Sequence, residues 1–276
     1  IVVHLNGLSC DLDPILKFVK KNKLLLIEDC SQAHGAIYKG RKVGSFGHIS
    51  TWSFCQDKIM STGGEGGMIS TNNTKLWLKL WSLKDHGKNY KSVFYKKHKT
   101  GFKWLHDDLG SNYRMTEMQA AIGREQLKLL DKYIKKRNLV ANLYLNELKD
   151  YYLKYNIFKK PYLKSQHYSL KKNLKRYNQS KHAFYRLNLF LNINKIKQIE
   201  LIEQFNKNKI DCGIGACPEI YREKIFKKLK FYPKKRLPNA KLLGEKSIVF
   251  PINPYRTYVA IKSEINFIKK ILNRYL

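Results

Sequence analysis

The chain has 276 residues, and 54 lysines and arginines against 21 aspartates and glutamates give it a formal net charge of +33. That length can bury a large core and favours two domains, while the lack of any apolar run near the roughly 20 residues that cross a bilayer excludes a spanning helix. Five cysteines without a CxxC pair favour a reducing cytoplasm over a disulfide framework, and they indicate no metal site.

The positive charge raises nucleic acid or an anionic membrane as a partner. The lysines, however, are spread over nearly every polar segment and do not form one arm or stripe. We therefore interpret the charge as compositional, expect neither nucleic acid nor a membrane as partner, and keep a basic nucleic-acid-binding protein as an alternative. Phosphate-bearing substrates would still be attracted by such a field.

The first elements in chain order are a strand, a helix and a second strand. Ile1 to Leu5 is short and apolar, and Asp11 to Asn22 has a helical apolar face with Pro14 in its first turn. Leu24 to Ile27 is a continuous apolar run, which is typical of a parallel strand covered on both faces. The order predicts a βαβ unit.

The segment EDCSQAHGA, Glu28 to Ala36, follows the second strand directly. Asp29 is thus placed beyond the carboxyl end of a strand, where ligands gather in open α/β sheets. A carboxylate there can hold a cofactor ring nitrogen in its protonated form, but Asp is also a common helix N-cap in such a loop. Gln32 and His34 are ambiguous by the same logic, since the side chain of either residue could simply satisfy backbone groups.

A lysine-containing loop lies between two further predicted strands, Ile49 to Phe54 and Met68 to Thr71. Lys58 is followed by four glycines between positions 63 and 67, which would let a flat ligand approach the backbone closely. A lysine is a nucleophile only when it is deprotonated or committed to an imine. Ser53 lies near enough in sequence to reach a phosphate of the same ligand. An ordinary hairpin with a surface lysine and a strand serine is the alternative, because a lone glycine-rich loop is weak evidence.

Three blocks occur in the order EDCSQAHGA with YKGRKVGSFG, then SFCQDKIMSTGGEGGMIST, then DDLGSNYRMTEMQAAIGREQL. Together they resemble the DegT/DnrJ-type sugar aminotransferase family, which consists of pyridoxal-phosphate enzymes of the aspartate aminotransferase fold. The resemblance implies an α/β, fold type I large domain with a mostly parallel sheet at 1–145, ending in a long linking helix. A smaller C-terminal α/β domain would follow at 146–276.

By this resemblance, four residues would hold the cofactor. Lys58 would bond covalently to its aldehyde, and Asp29 would pair with the ring nitrogen. Gln32 would bond the phenolic oxygen and Ser53 the phosphate. The family's N-terminal segment is expected to be lacking here, so that this chain by itself would bind pyridoxal phosphate poorly.

The resemblance also implies partners and a reaction. Asn112 would reach the phosphate of a neighbouring subunit's cofactor, with Arg114 close by, which implies a homodimer with shared active sites. The reaction would move an amino group from glutamate or glutamine to a nucleotide-linked keto sugar, in amino-sugar biosynthesis for surface polysaccharide or glycosylated metabolites. Some relatives carry histidine in place of the lysine and catalyse dehydration, so Lys58 favours transamination. A non-catalytic regulatory or structural relative is the alternative.

Thr116 to Gln119 reads TEMQ, a capping box that predicts a helix running to about Lys149. The basic, polar segment Tyr151 to Ser180 is expected to be an insert. After it, the pattern predicts a strand at Ala183 to Leu191, an amphipathic helix at Asn194 to Asn206 and a last helix capped by Ser263.

Overall fold

The computed structural model describes residues 1–159 and 180–276, which form two compact units, Ile1–Asp131 and Lys132–Leu276. Most of the predicted insert, residues 160–179, lies outside the described residues. No helix among the described residues is long and apolar enough to cross a membrane. The division into a cofactor-binding domain and a small domain at residue 145 stays a prediction.

The first unit is built on a four-stranded sheet with the order β1-β2-β5-β6. β1, β2 and β5 run parallel, and β6 is antiparallel to β5, so the sheet is mixed and mostly parallel, as predicted. A separate hairpin is formed by β3 and β4. The strand bounds are β1 (Val2–Val3), β2 (Ile27–Asp29), β3 (Ile37–Tyr38), β4 (Arg41–Lys42), β5 (Ile49–Ser53) and β6 (Gly67–Ser70).

The first two strands are shorter than the sequence predicts. β1 gives way to a 3-10 turn at Leu5–Gly7. The strand expected at Leu24 to Ile27 begins only at Ile27, because the turn after the first helix continues through Lys23, whose φ is +51°. Leu25 is consequently 69% exposed. The prediction placed this strand three residues too early.

Helices α1 (Leu12–Lys21), α2 (Thr74–Lys84), α3 (Tyr90–Phe94) and α4 (Glu117–Glu147) complete the first unit, with α4 continuing into the second. The predicted capping box opens α4. Thr116 Oγ1 accepts a hydrogen bond from Gln119 N at 3.3 Å, and Gln119 Oε1 accepts one from Thr116 N at 3.1 Å. These reciprocal bonds satisfy two of the amides that a helix start leaves unpaired.

The second unit packs helices on a two-stranded antiparallel sheet of β7 (Arg186–Phe190) and β8 (Ser247–Pro251). Its described helices are α5 (Lys149–Leu153), α6 (Gln198–Lys207), α7 (Lys224–Lys228), α8 (Pro238–Lys246) and α9 (Tyr258–Leu272). The predicted cap at Ser263 is wrong. Ser263 lies inside α9, which Thr257 caps instead by accepting a hydrogen bond from Ala260 N.

Candidate active site

Asp29 and Ser53 are the last residues of the neighbouring parallel strands β2 and β5. The register pairs Asp29 with Thr51, and Cys30 N donates to Thr51 O at 2.9 Å. Because the carboxyl ends of parallel strands meet at one edge of a sheet, the structure brings Asp29 and Ser53 to the same edge. This edge also begins the segments that carry Gln32 and Lys58.

Asp29 does not cap a helix. The residues after it, up to Ala36, form turns, and its Oδ1 accepts a hydrogen bond from Ser31 N at 3.0 Å. The helix-cap alternative is therefore wrong. Of the two carboxylate oxygens, the bond to Ser31 engages Oδ1, so the other oxygen can accept from a ligand.

Gln32 is oriented by a backbone amide. Its Oε1 accepts a hydrogen bond from Asn6 N at 2.8 Å, and Asn6 adopts a left-handed φ of +56° in the turn after β1. Because the Asn6 amide is a donor, the side-chain atom that it contacts is the oxygen, and the nitrogen Nε2 is the end that can donate. Gln32 can thus donate a hydrogen bond to a ligand oxygen. The other ambiguous residue, His34, is buried with its ring 5.5 Å from that of Trp52.

Lys58 lies in the loop between β5 and β6, and we call residues 54–66 the Lys58 loop. Phe54 N donates to Gly66 O at 2.8 Å, and Thr62 N donates to Phe54 O at 3.2 Å, so the base of the loop is closed by backbone hydrogen bonds. The Lys58 side chain is 16% exposed, and its Nζ lies 3.4 Å from Asp57 Oδ1. A lysine covered to this extent differs from an ordinary surface lysine.

The glycines of the loop allow the turn beyond Lys58. Gly63 has a φ of +85° and Gly64 a φ of +147°, conformations that other residues adopt only with strain. A Cβ on Gly64 would have no heavy atom within 4 Å among the described residues. The backbone there is accessible to a ligand.

Glu28 supports this edge from the interior and was missed by the sequence analysis. Its side chain is fully buried and accepts hydrogen bonds from three backbone amides: Gly44 N at 2.8 Å, Phe46 N at 2.7 Å and Gly47 N at 2.5 Å. Burial raises the pKa of this carboxyl, but the bonds from His4 and from the three amides outweigh burial and lower it. A carboxylate inside an apolar strand needs such hydrogen-bond partners. The position of Glu28 directly after an apolar run was therefore the signal in the sequence that pointed to this role.

His4 connects Glu28 to the segment after β1. Cys10 N lies 3.0 Å from His4 Nδ1, and the other ring nitrogen, Nε2, lies 3.1 Å from Glu28 Oε2. Ligand atoms of His4, Glu28 and Cys30 lie within 4.8 Å of one another. Both nitrogens of the histidine and both oxygens of the glutamate already make hydrogen bonds, so we assign the cluster to structural support.

Asn112 and Arg114 lie in an exposed loop that is attached to the end of α2. Asn112 pairs with Asp85 as an isolated bridge, and its Oδ1 accepts from Arg114 Nε at 3.1 Å. Arg114 Nη1 lies 3.6 Å from Asp85 Oδ1, and Lys88, whose hydrogen bond lowers the pKa of Asp85, lies 3.0 Å from the same oxygen. The described hydrogen bonds and ion pairs of the Asn112 and Arg114 side chains do not reach the sheet edge, so a role toward a neighbouring subunit stays a prediction.

A model of the DegT/DnrJ/EryC1/StrS aminotransferase family matches residues 1–262. The chain belongs to this family. Among curated relatives, it is 42% identical over 146 residues to the GDP-perosamine synthase of Caulobacter vibrioides, a match covering 53% of this chain and 36% of that enzyme. Matches to curated relatives span from 33% to 66% of their own length.

Solved structures of DegT-family proteins share the fold. The aminotransferase of Psychrobacter cryohalolentis is 41% identical, has a TM-score of 0.90, and is matched over 99% of this chain and 68% of its own. The GDP-4-keto-6-deoxy-D-mannose-3-dehydratase of Escherichia coli, solved with bound hydrated pyridoxal phosphate, has a TM-score of 0.77 at 21% identity, with 96% and 66% of the two chains covered. The latter likeness shows the fold, which is the predicted fold type I.

Proposed function

We propose that this chain is the core of a pyridoxal-phosphate-dependent aminotransferase that moves an amino group from glutamate or glutamine to a nucleotide-linked keto sugar. The observation that carries the proposal is the convergence of Asp29, Gln32, Ser53 and the Lys58 loop at the carboxyl edge of β2 and β5. The family relationship supports it, as do relatives that are named as transaminases of sugars linked to GDP, dTDP and UDP.

The residues at this edge fit the cofactor by their chemistry. The mostly covered amine of Lys58 suits the aldehyde, and the carboxylate oxygen of Asp29 suits the ring nitrogen. The amide donor of Gln32 suits the phenolic oxygen, and the hydroxyl of Ser53 suits the phosphate. Gln32 fits because Asn6 already occupies its oxygen. When bound, pyridoxal phosphate supplies an aldehyde and a ring that delocalises the electrons released at a substrate carbon.

The chain's own residues would then have separate tasks. Asp29 holds a proton on the ring nitrogen through the oxygen that Ser31 does not engage. Lys58 would hold the cofactor through Nζ and, as a free amine, would move the proton at the reacting carbon of the substrate. Gln32 would donate a hydrogen bond to the phenolic oxygen and Ser53 would bond the phosphate, and the two bonds together would orient the cofactor.

The proposal is tested by adding excess pyridoxal phosphate to the protein and recording the visible absorbance of a lysine-bound cofactor. We expect a band that Lys58→Ala abolishes and that the exposed control Lys20→Ala leaves unchanged. Assays with glutamate and a panel of nucleotide-linked keto sugars should yield an amino sugar. A product that has lost a hydroxyl group and carries no amine would favour dehydration, and a band without turnover would favour a non-catalytic relative.

We further propose that the protein is a homodimer with shared active sites. Large apolar side chains are exposed along one stretch of the first unit, where Leu109 is 95% exposed and Trp104 and Met118 are each 76% exposed. The same stretch contains Asn112 and Arg114. Exposed large apolar side chains mark protein–protein interaction sites when they are grouped, and a second copy of the chain is the occupant that would bring Asn112 to a neighbouring site.

A further inference from the structure

Gln119, in the first turn of α4, makes hydrogen bonds with both ends of its side-chain amide. Oε1 accepts from Thr116 N at 3.1 Å and from Thr116 Oγ1 at 3.0 Å, which completes the capping box. Nε2 donates to Glu65 O at 2.8 Å, and Glu65 belongs to the Lys58 loop. One side chain therefore starts the helix and holds the loop.

The carbonyl of Glu65 is the point where the two elements are joined. Besides the bond from Gln119, it accepts one from Thr62 Oγ1 within the loop at 3.0 Å. Phe54, at the base of the loop, is in turn hydrogen-bonded to both Thr62 and Gly66. A displacement of Glu65 would thus be passed to the base from which Lys58 extends.

The loop and the start of α4 also lie close to each other at two glycines. A Cβ on Gly63 would lie 3.0 Å from Ile122 Cδ1, and a Cβ on Gly123 of α4 would lie 3.0 Å from Thr62 Cγ2. Such distances are shorter than normal van der Waals contact. The loop therefore lies against α4 at Gly63 and Gly123 as well as at the bond between Gln119 and Glu65.

We infer that Gln119 is a positioning residue for Lys58, because its Nε2 bond sets where the Lys58 loop lies against α4. The inference rests on the proposed function, since it gives Lys58 its task. It concerns the loop bond and not the capping box, and two substitutions separate these roles.

Gln119→Glu keeps an acceptor for Thr116 but replaces the donor with an oxygen that faces the Glu65 carbonyl. Thr116→Val removes the hydroxyl of the cap and leaves the bond between Gln119 and Glu65. We expect Gln119→Glu to slow formation of the lysine-bound cofactor band about tenfold, the effect of one lost hydrogen bond. Thr116→Val should instead lower the unfolding temperature and leave the rate of band formation unchanged.

Amide hydrogen exchange without cofactor provides a second measurement. Gln119→Glu should accelerate exchange at Phe54 and Thr62, the amides that close the loop, and Thr116→Val should not. If the unmodified protein forms a band that requires Lys58, and Gln119→Glu leaves both the rate of band formation and the exchange unchanged, the inference is overturned while the proposed function stands. If no band requires Lys58, the proposed function fails, and the exchange rates then decide whether Gln119 holds the loop.

Discussion

Glu28 Oε1 lies 2.5 Å from the backbone nitrogen of Gly47, within the interior of the first unit. Together with Gly44 N, Phe46 N and the ring of His4, this amide gives the buried carboxylate a full set of partners. The arrangement fixes the chain just before β5 to the strand that ends at Asp29.

Removal of the Glu28 carboxylate should be strongly destabilising. Glu28→Ala leaves three backbone donors without their acceptor in a buried site, and we expect the free energy of unfolding to fall by about 3–5 kcal/mol. Urea denaturation followed by circular dichroism measures this change. Glu125→Ala is the control, since Glu125 is exposed and pairs with Lys128 alone among the described ion pairs, so a loss within about 0.5 kcal/mol is expected. Equal losses in the two variants would contradict the structural role of Glu28.

Gly87 should not tolerate a side chain. Its φ is +79°, and a Cβ would lie 1.7 Å from Asp108 O, a backbone atom that cannot move aside. Gly101→Ala is the comparison. Gly101 also has a positive φ, +119°, but a Cβ there would have no heavy atom within 4 Å among the described residues. We expect Gly101→Ala to cost about 1–2 kcal/mol of folding free energy and Gly87→Ala clearly more. Thermal unfolding of the two variants compares these costs, and equal midpoints would show that the clash is relieved.

Acid should weaken the second unit through Glu219. Its hydrogen bond to Arg236, followed by those from Tyr221 and Arg222, lowers the pKa of Glu219 from 4.5 to about 2. A lowered folded-state pKa means that the stabilisation is complete above pH 4.5 and is lost as the pH falls toward 2. The stability difference between the unmodified protein and Glu219→Gln should therefore be constant from pH 7 to 5 and shrink below pH 4.5. Urea unfolding at a series of pH values measures it, and Arg236→Gln should bring the folded-state pKa of Glu219 back toward 4.5 and so make this acid-dependent loss smaller. A difference that grows on acidification would refute the assignment.

Self-association should depend on the exposed apolar stretch that contains Leu109. Leu109→Glu places a charge where the proposed second copy packs, so we expect sedimentation velocity to show a shift from dimer to monomer. Phe18→Glu, on the outer face of α1 and 60% exposed, introduces the same charge elsewhere and should leave the dimer intact. A protein that is monomeric before substitution would remove the basis for shared active sites.

Features that depend on neighbours in sequence were predicted well. The capping box at Thr116 and Gln119 is confirmed because both its hydrogen bonds join residues three positions apart. The cap at Ser263 failed because Thr257 lies earlier and bonds Ala260, which starts the helix before Ser263 is reached. Local patterns thus identified these two helices but not in both cases the residue that begins the helix.

Features that depend on distant partners were not accessible from the pattern. Glu28 contacts amides 16 to 19 residues away, and Gln119 contacts a carbonyl 54 residues away. Periodicity and motif spacing carry no information on such pairs. The roles of Asp29, Gln32, Ser53 and Lys58 came from the family resemblance, and the structure adds how neighbouring groups orient them.

The Lys58 loop leaves and re-enters the sheet through adjacent antiparallel strands, with Ser53 opposite Gly67. Its two stems are therefore anchored to each other independently of how many residues lie between them. The entropy of closing such a loop grows slowly with its length, so the pairing of β5 and β6 does not depend on one particular number of residues in the loop. The strand that ends at Ser53 can therefore keep its register when the length of the loop changes.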